Sequence, residues 1–290
     1  AGLMLGLAAS GNLVQSYSNI LRNLFGLASG IILIMMIVKI ITQSKGVKEA
    51  LENPVVASVF PTLSMTVILL AGYLKPLSHE FALILWFIGI ILHIILMVWF
   101  TKQFVMNYNI KKVFPSWFIV YVGIVVASVT AGAFEMQAIG KIIFYFGLTS
   151  YFILLPIVLK RVYVIKEIPE AALPTLVIIS APASLCLAGY LNSFTDRNMV
   201  MVYLLLIISQ ITYLAVLLML PKLLKLKFYP SYSGFTFPLV ISAISLKLTN
   251  GFLINTGNSM AFMKILVNIE EFIAISMVVY VLIRYMNFLL

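Results

Sequence analysis

The chain has 290 residues, 63% of them hydrophobic and only 10% charged, with a mean hydropathy of +1.13 and a formal net charge of +10. This composition excludes a soluble globular or nucleic-acid-binding domain and indicates a polytopic helical membrane protein, whose surplus Lys and Arg belong to cytoplasmic loops. At roughly 20 residues per span the length holds about ten helices, so residues 1–290 are read as a single transmembrane domain.

The first span, Gly2 to about Val14, places Gly2, Gly6 and Ala9 on one face, where small residues let backbones approach closely. The chain begins without Met, so this helix is expected to be truncated at its start, and no cleavable signal pattern precedes it. Leu21–Ile41 is the second span. The third, Val55–Leu74, carries Pro61, Thr62, Ser64, Thr66 and Gly72. Phe81 to about Phe104 is the fourth, with Trp86 and Trp99. The fifth, Phe114–Ala131, opens on Pro115 and Ser116 and carries Gly123, Ala127 and Ala131. The sixth is Ile139–Leu159. Pro174, Pro182, Ser184 and Gly189 mark the seventh, Ala171–Leu191, and Met199–Leu220 is the eighth. The ninth, Ser233–Asn250, contains Pro238, Ser242 and Ser245, and the tenth runs from Met260 to about Tyr285.

Odd-numbered spans are short and rich in Pro, Gly and Ser, while even-numbered spans are longer and uniformly apolar. A proline inside a span frees a carbonyl that lipid cannot satisfy, so such spans belong inside a bundle. The expected architecture is therefore all-α: ten transmembrane helices as five hairpins, odd helices ringing a central pore and even helices outside, facing lipid. The even-to-odd loops hold Lys45, Lys48, Lys102, Lys111, Lys112, Lys160, Arg161, Lys166, Lys222, Lys225 and Lys227. Those loops, and with ten spans both termini, are expected on the cytoplasmic side of the cell's inner (plasma) membrane.

Catalytic chemistry is not legible. His79 and His93 lack acidic or cysteine partners at ligand spacing, and His93 reads as a helix-packing residue. The one cysteine, Cys186, excludes an intrachain disulfide and a cysteine metal cluster. No nucleotide, zinc or nucleophile motif occurs, so no cofactor, no metal and no enzymatic activity are expected. Three charges within spans could matter to transport: Lys247, Glu270 and Glu271. Lys247 is expected to mark the end of the ninth span or to add positive potential at an outer mouth. The two glutamates are expected near the outer interface, snorkelling or paired with Lys264, or, if one is buried, to act as a proton-coupling site or as a structural partner for a lysine such as Lys247. In the ninth span Phe237 precedes Pro238, with Ile241 and Ile244 at helical spacing after it. This face is read as lining a narrow pathway that Phe237 obstructs.

Four segments carry a family pattern: GLMLGLAASGNL (2–13), FPSWFIVYVGIVVAS (114–128), ALPTLVIISAPASLCLAGYL (172–191) and GFTFPLVISA (234–243). In the same order they resemble the tellurite-resistance/dicarboxylate transporter family, which includes bacterial tellurite-resistance channel proteins, fungal malate permeases and sulfite exporters, and slow-type anion channels of plant guard cells. The resemblance implies five hairpins around one pore per protomer, assembly as a homotrimer, and occlusion by a phenylalanine, here Phe237. It implies kinks at Pro61, Pro115, Pro182 and Pro238, with Gly6 in the first helix. Some members have Ile-Pro where this chain has Leu3-Met4, which leaves the first kink to glycine. The plant channels carry long soluble regulatory tails that this sequence lacks, so a bacterial-type member is expected.

The expected function is an anion channel passing small monovalent anions such as chloride and nitrate, with membrane lipid as surroundings and no nucleic-acid partner. A pore lined by Ser, Thr, Gly and apolar groups binds weakly, which permits fast exit. The rival is a proton-coupled dicarboxylate, sulfite or tellurite transporter, which needs an anion clamp; Lys247 and the two glutamates are the available parts.

Overall fold

The computed structural model describes residues 1–289. It is built from helices: α1 Gly2–Val14, α2 Asn19–Thr42, α3 Ser44–Ala50, α4 Pro54–Val59, α5 Thr62–Leu74, α6 His79–Phe100, α7 Trp117–Tyr121, α8 Val126–Ala131, α9 Gln137–Leu159, α10 Ala181–Ser193, α11 Met199–Leu223, α12 Phe237–Asn255 and α13 Ala261–Leu289. Short π-helical turns extend α6 through Val105 and α9 through Ile165. The α10 and α12 helices are entered from 3-10 runs, Glu170–Ser180 and Pro230–Phe235.

Eight helical stretches among the described residues are long and apolar enough to cross a membrane, and Gly2–Val14 and Gly123–Phe134 are shorter apolar helices. The two short ones fall where the first and fifth of ten spans were expected. The fifth is interrupted by 3-10 turns at Gly123–Val125 and Gly132–Phe134, so no single long helix forms there.

Burial divides the long stretches sharply. Pro54–Leu74, Glu170–Ser193 and Pro230–Asn255 are 61 to 89% buried over their apolar windows, and the other five only 11 to 39%. The buried set is the set rich in Pro, Gly and Ser. Packing follows the same division: α1 lies against α5, α5 against α8, α8 against α10, α10 against α12, and α12 against α1, which closes a ring. On the outside α2 packs on α1, α6 on α5, α9 on α8, α11 on α10 and α13 on α12.

Glycine allows the closest inner contacts. A Cβ at Gly6 would lie 2.5 Å from the Cβ of Thr236, and one at Gly189 would lie 2.7 Å from Cγ1 of Val125. Three prolines of the inner segments stand at α-helix starts, while Pro174 lies inside the 3-10 run Glu170–Ser180. Pro61 is the N-cap of α5, and Pro182 and Pro238 lie in the first turns of α10 and α12. There a missing N–H costs nothing, because it would have had no partner within the helix.

Candidate functional site

The breaks position a cavity of about 600 Å³ inside the ring. Gly2 and Leu5 of α1, Thr62 and Met65 of α5, Phe118, Val122 and Gly123 of the fifth segment, Ile178, Pro182 and Leu185 of the seventh, and Phe237 and Pro238 of α12 all line it. Its rim is formed by Asn53, Pro169, Tyr229 and Tyr285, so it opens at the end of the bundle that carries the basic loops. None of its lining residues has a charged side chain.

Of the residues singled out from sequence, Thr62, Gly123, Pro182, Phe237 and Pro238 reach this cavity. Phe237 is 7% exposed, the first residue of α12 after the sharply turned Thr236. Thr236 holds the turn by donating to the Ser233 carbonyl at 2.7 Å. Gly6, Pro61, Ser64, Pro115, Ser116, Ser184 and Ile241 are not among the lining residues. The serines among them are consumed by helix contacts: Ser116 with Ser58 at 2.6 Å, Ser184 with Ser242 at 3.1 Å, and Ser64 with Nδ1 of His93 at 2.9 Å. His93 is fully buried and its Nε2 lies 3.1 Å from the Val120 carbonyl, so it ties α5 and α7 from the outer helix α6. Leu5, Met65, Val122, Ile178 and Leu185 were missed because apolar wall residues are indistinguishable in sequence from apolar core.

With no formal charge in the wall, the field of the cavity is set by the backbone. The α5, α10 and α12 helices begin inside the protein, at Thr62, Ala181 and Phe237, without side-chain caps. At the breaks before Thr62 and Phe237 the α5 and α12 starts line the cavity with the positive ends of their macrodipoles, a favourable setting for an anion. The α10 helix instead continues from its 3-10 run, and its first N–H is taken by the Ile178 carbonyl.

The loop before Pro169 is tied down by Arg161, which is 2% exposed. Its guanidinium donates to the carbonyls of Lys166 and of Glu167, the latter at 2.9 Å. Lys166 and Glu167 both adopt positive φ, 62° and 34°. Glu167 also pairs with Lys111 of the loop before the fifth segment at 2.9 Å, and that bond holds the exposed Glu167 carboxyl below its usual range.

The charges in spans differ from expectation. Glu270 and Glu271 are 3% and 8% exposed and do not pair with Lys264. Lys247 does not mark a helix end; it lies within α12, which continues to Asn255. Its ammonium donates to Glu271 Oε1 at 2.6 Å, to Ser16 Oγ at 2.8 Å and to the Leu13 carbonyl at 3.2 Å. The Tyr17 hydroxyl donates to the other oxygen of Glu271 at 2.6 Å. Lys247 is not a lining residue of the cavity. Glu270 lies beside Gln210 and Tyr213 of α11, and its Oε2 has no protein partner among the described residues. The physical reason for both corrections is that α13 packs its 270–271 turn inward, against α11 and α12, where a carboxylate meets protein and not headgroups.

The sequence profile of the voltage-dependent anion channel family, SLAC1, matches residues 2–286. The chain belongs to the SLAC1 family. No curated protein matches the chain in a direct comparison. Membership makes it a multi-pass membrane protein of an anion channel and transporter family, in agreement with the expected resemblance. For a SLAC1 member, a ring of inner helices around an uncharged cavity with helix N-termini at its inner end is a workable anion route. Weak dipoles draw the ion in without holding it.

Proposed function

We propose that this SLAC1 member is an anion channel in which Phe237 blocks a pathway running through the ring of inner segments. In this reading the chain crosses the inner (plasma) membrane ten times, as five hairpins with both termini cytoplasmic. The short first and fifth helices are the spans that complete the ten. Three copies assemble, each with its own pore. The observation that carries the reading is the uncharged cavity bounded by all five inner segments and ending against Phe237.

Selection in such a route follows the cost of dehydration, since no side-chain charge compensates for lost water. Chloride and nitrate pass, nitrate more readily, and strongly hydrated divalent anions are disfavoured. A coupled carrier would require a cation clamp in the pathway. Lys247 is the nearest candidate, and its charge is taken up by Glu271 outside the cavity.

The test is reconstitution of the full chain, with anion currents recorded for the wild-type protein and Phe237→Ala under chloride and nitrate gradients. Little current from wild type and a large, near-ohmic anion current from the variant are expected. Silence from both proteins, together with pH-dependent uptake of malate or sulfite, would replace the channel with the carrier.

A further inference from the structure

The inner segments all run in the same direction, so their carboxyl ends gather at the end of the bundle opposite the cavity rim. Each helix carboxyl terminus carries the equivalent of roughly half a negative charge. Five together make about −2.5, a barrier to any anion crossing that mouth. The structure places a cation on four of these ends. The Leu13 carbonyl, in the last turn of α1, accepts from Lys247 at 3.2 Å. That of Gly72, near the end of α5, accepts from Arg22 Nη2 at 3.1 Å. The Ala133 carbonyl, in the turn after α8, accepts from Lys75. That of Leu191, near the end of α10, accepts from Arg197 Nε at 2.9 Å. The Arg197 guanidinium also lies 5.4 Å from the ring centre of Phe252, near the end of the ninth segment, α12.

Three of these bonds join different inner segments or their hairpins. Lys247 reaches from α12 to α1, Arg22 from α2 to α5, and Lys75 from the end of α5 to the turn after α8. The cations therefore follow the order of the ring itself. Lys247 is already paired with Glu271. Arg22, Lys75 and Arg197 form no salt bridge among the described residues, although Glu80, Glu135 and Asp196 stand at the same end of the bundle, with Lys141 and Lys264 as further cations. Lysine or arginine at any one of these positions reads as an ordinary helix-end residue. Four at the ends of four parallel inner segments constitute a collar.

We propose that Arg22, Lys75 and Arg197 form a cationic collar that cancels the converging helix carboxyl ends and so admits anions at the mouth opposite the Phe237 cavity. The proposal rests on the channel reading above, and it makes these three residues determinants of conductance although none lines the cavity.

The test uses single-channel recording of the Phe237→Ala protein, with Arg22→Gln, Lys75→Gln and Arg197→Gln added together. Recordings are made at about 10 mM and about 1 M chloride, where screening lengths are near 30 and 3 Å. At low salt, current carried by anions entering at the collar should fall by about fivefold. Current in the opposite direction changes less, so the channel rectifies, and high salt abolishes the difference. Arg22→Lys with Arg197→Lys keeps the charge and should keep the current.

Unchanged rectification in the triple variant overturns the collar while leaving the channel intact. Equal loss of current in the Lys and Gln variants, insensitive to salt, overturns it too, because the residues would then be structural braces. If Phe237→Ala carries no anion current at either salt concentration, the channel reading falls and the collar's role falls with it.

Discussion

The glycine contact between α1 and α12 gives a sharp test of the packing. Gly6→Ala puts a Cβ 2.5 Å from the Cβ of Thr236 and 2.4 Å from its Oγ1, and neither atom belongs to a flexible side-chain end. Carbon atoms in good contact lie about 3.5–4.0 Å apart, so α1 and α12 must separate by about 1 Å. Overpacking of this kind costs about 1–3 kcal/mol. Ala also improves helix propensity by about 1 kcal/mol over Gly, which would blur the result taken alone. Gly30→Ala removes that ambiguity: it lies in α2 with nothing within 4 Å of the added carbon, so it carries the propensity gain without the clash. The difference between the two variants isolates the steric cost. At about 2–4 °C per kcal/mol the gap in apparent unfolding midpoint is about 2–12 °C. Cys186 supplies the assay, because it is the one cysteine in the chain, fully buried, and reacts with a thiol dye only on unfolding. Thr236→Gly in the Gly6→Ala background should recover part of the gap. Equal midpoints for Gly6→Ala and Gly30→Ala would refute the α1–α12 contact as described.

Three further outcomes follow from polar groups inside the bundle. His93→Ala removes the partner of both Ser64 and the Val120 carbonyl and leaves a void, at a cost of about 2–5 kcal/mol in the same thiol assay; His93→Gln, which keeps a donor and an acceptor, should recover most of it. Glu271→Gln strands the Lys247 ammonium; with that side chain 30% exposed the cost is about 1–3 kcal/mol, below the range for a fully buried pair, and adding Lys247→Met should return part of it. The Tyr17 phenol is raised above its ordinary range, first by its hydrogen bond to the Glu271 carboxylate and then by burial. Its contribution is therefore complete below the ordinary phenol value of about 10 and is lost as pH rises through the raised one; Glu271→Gln should bring the Tyr17 ionisation, read as a difference spectrum against Tyr17→Phe, back toward that value.

The alternation of span types was legible because membrane burial acts on composition. Pro, Gly and Ser are tolerated only where protein satisfies the backbone, so Pro61, Pro182 and Pro238 mark the inner segments in the sequence itself. The reason assigned to them was incomplete, since they start helices and do not kink them. The two short segments were harder: Gly2–Val14 and the interrupted 117–134 region have the hydropathy of spans without the length of one. Phe237 was legible through its place before Pro238. Thr62, Gly123, Pro182 and Pro238 were legible as polar or helix-breaking residues of inner spans; the apolar walls were not, because a Leu facing a cavity and a Leu facing another helix follow the same periodicity.

Buried charge was the least legible feature, for a reason that bears on mechanism. A sequence gives the spacing of charges along one helix, so it ranks Lys264, on the same helix, ahead of Lys247 as the partner of Glu271. The actual partner, Lys247, lies on α12 and is reached only through the ring's closure. The same holds for Arg22, Lys75 and Arg197, whose acceptors are backbone carbonyls up to 58 positions away, invisible in any side-chain pattern. Parallel inner helices give the ring an electrostatic direction, positive ends at the cavity and negative ends at the far mouth. In the channel reading, an uncharged cavity wall would conduct anions only if the far end were balanced as well. The cations that look scattered in the sequence are positioned to balance it.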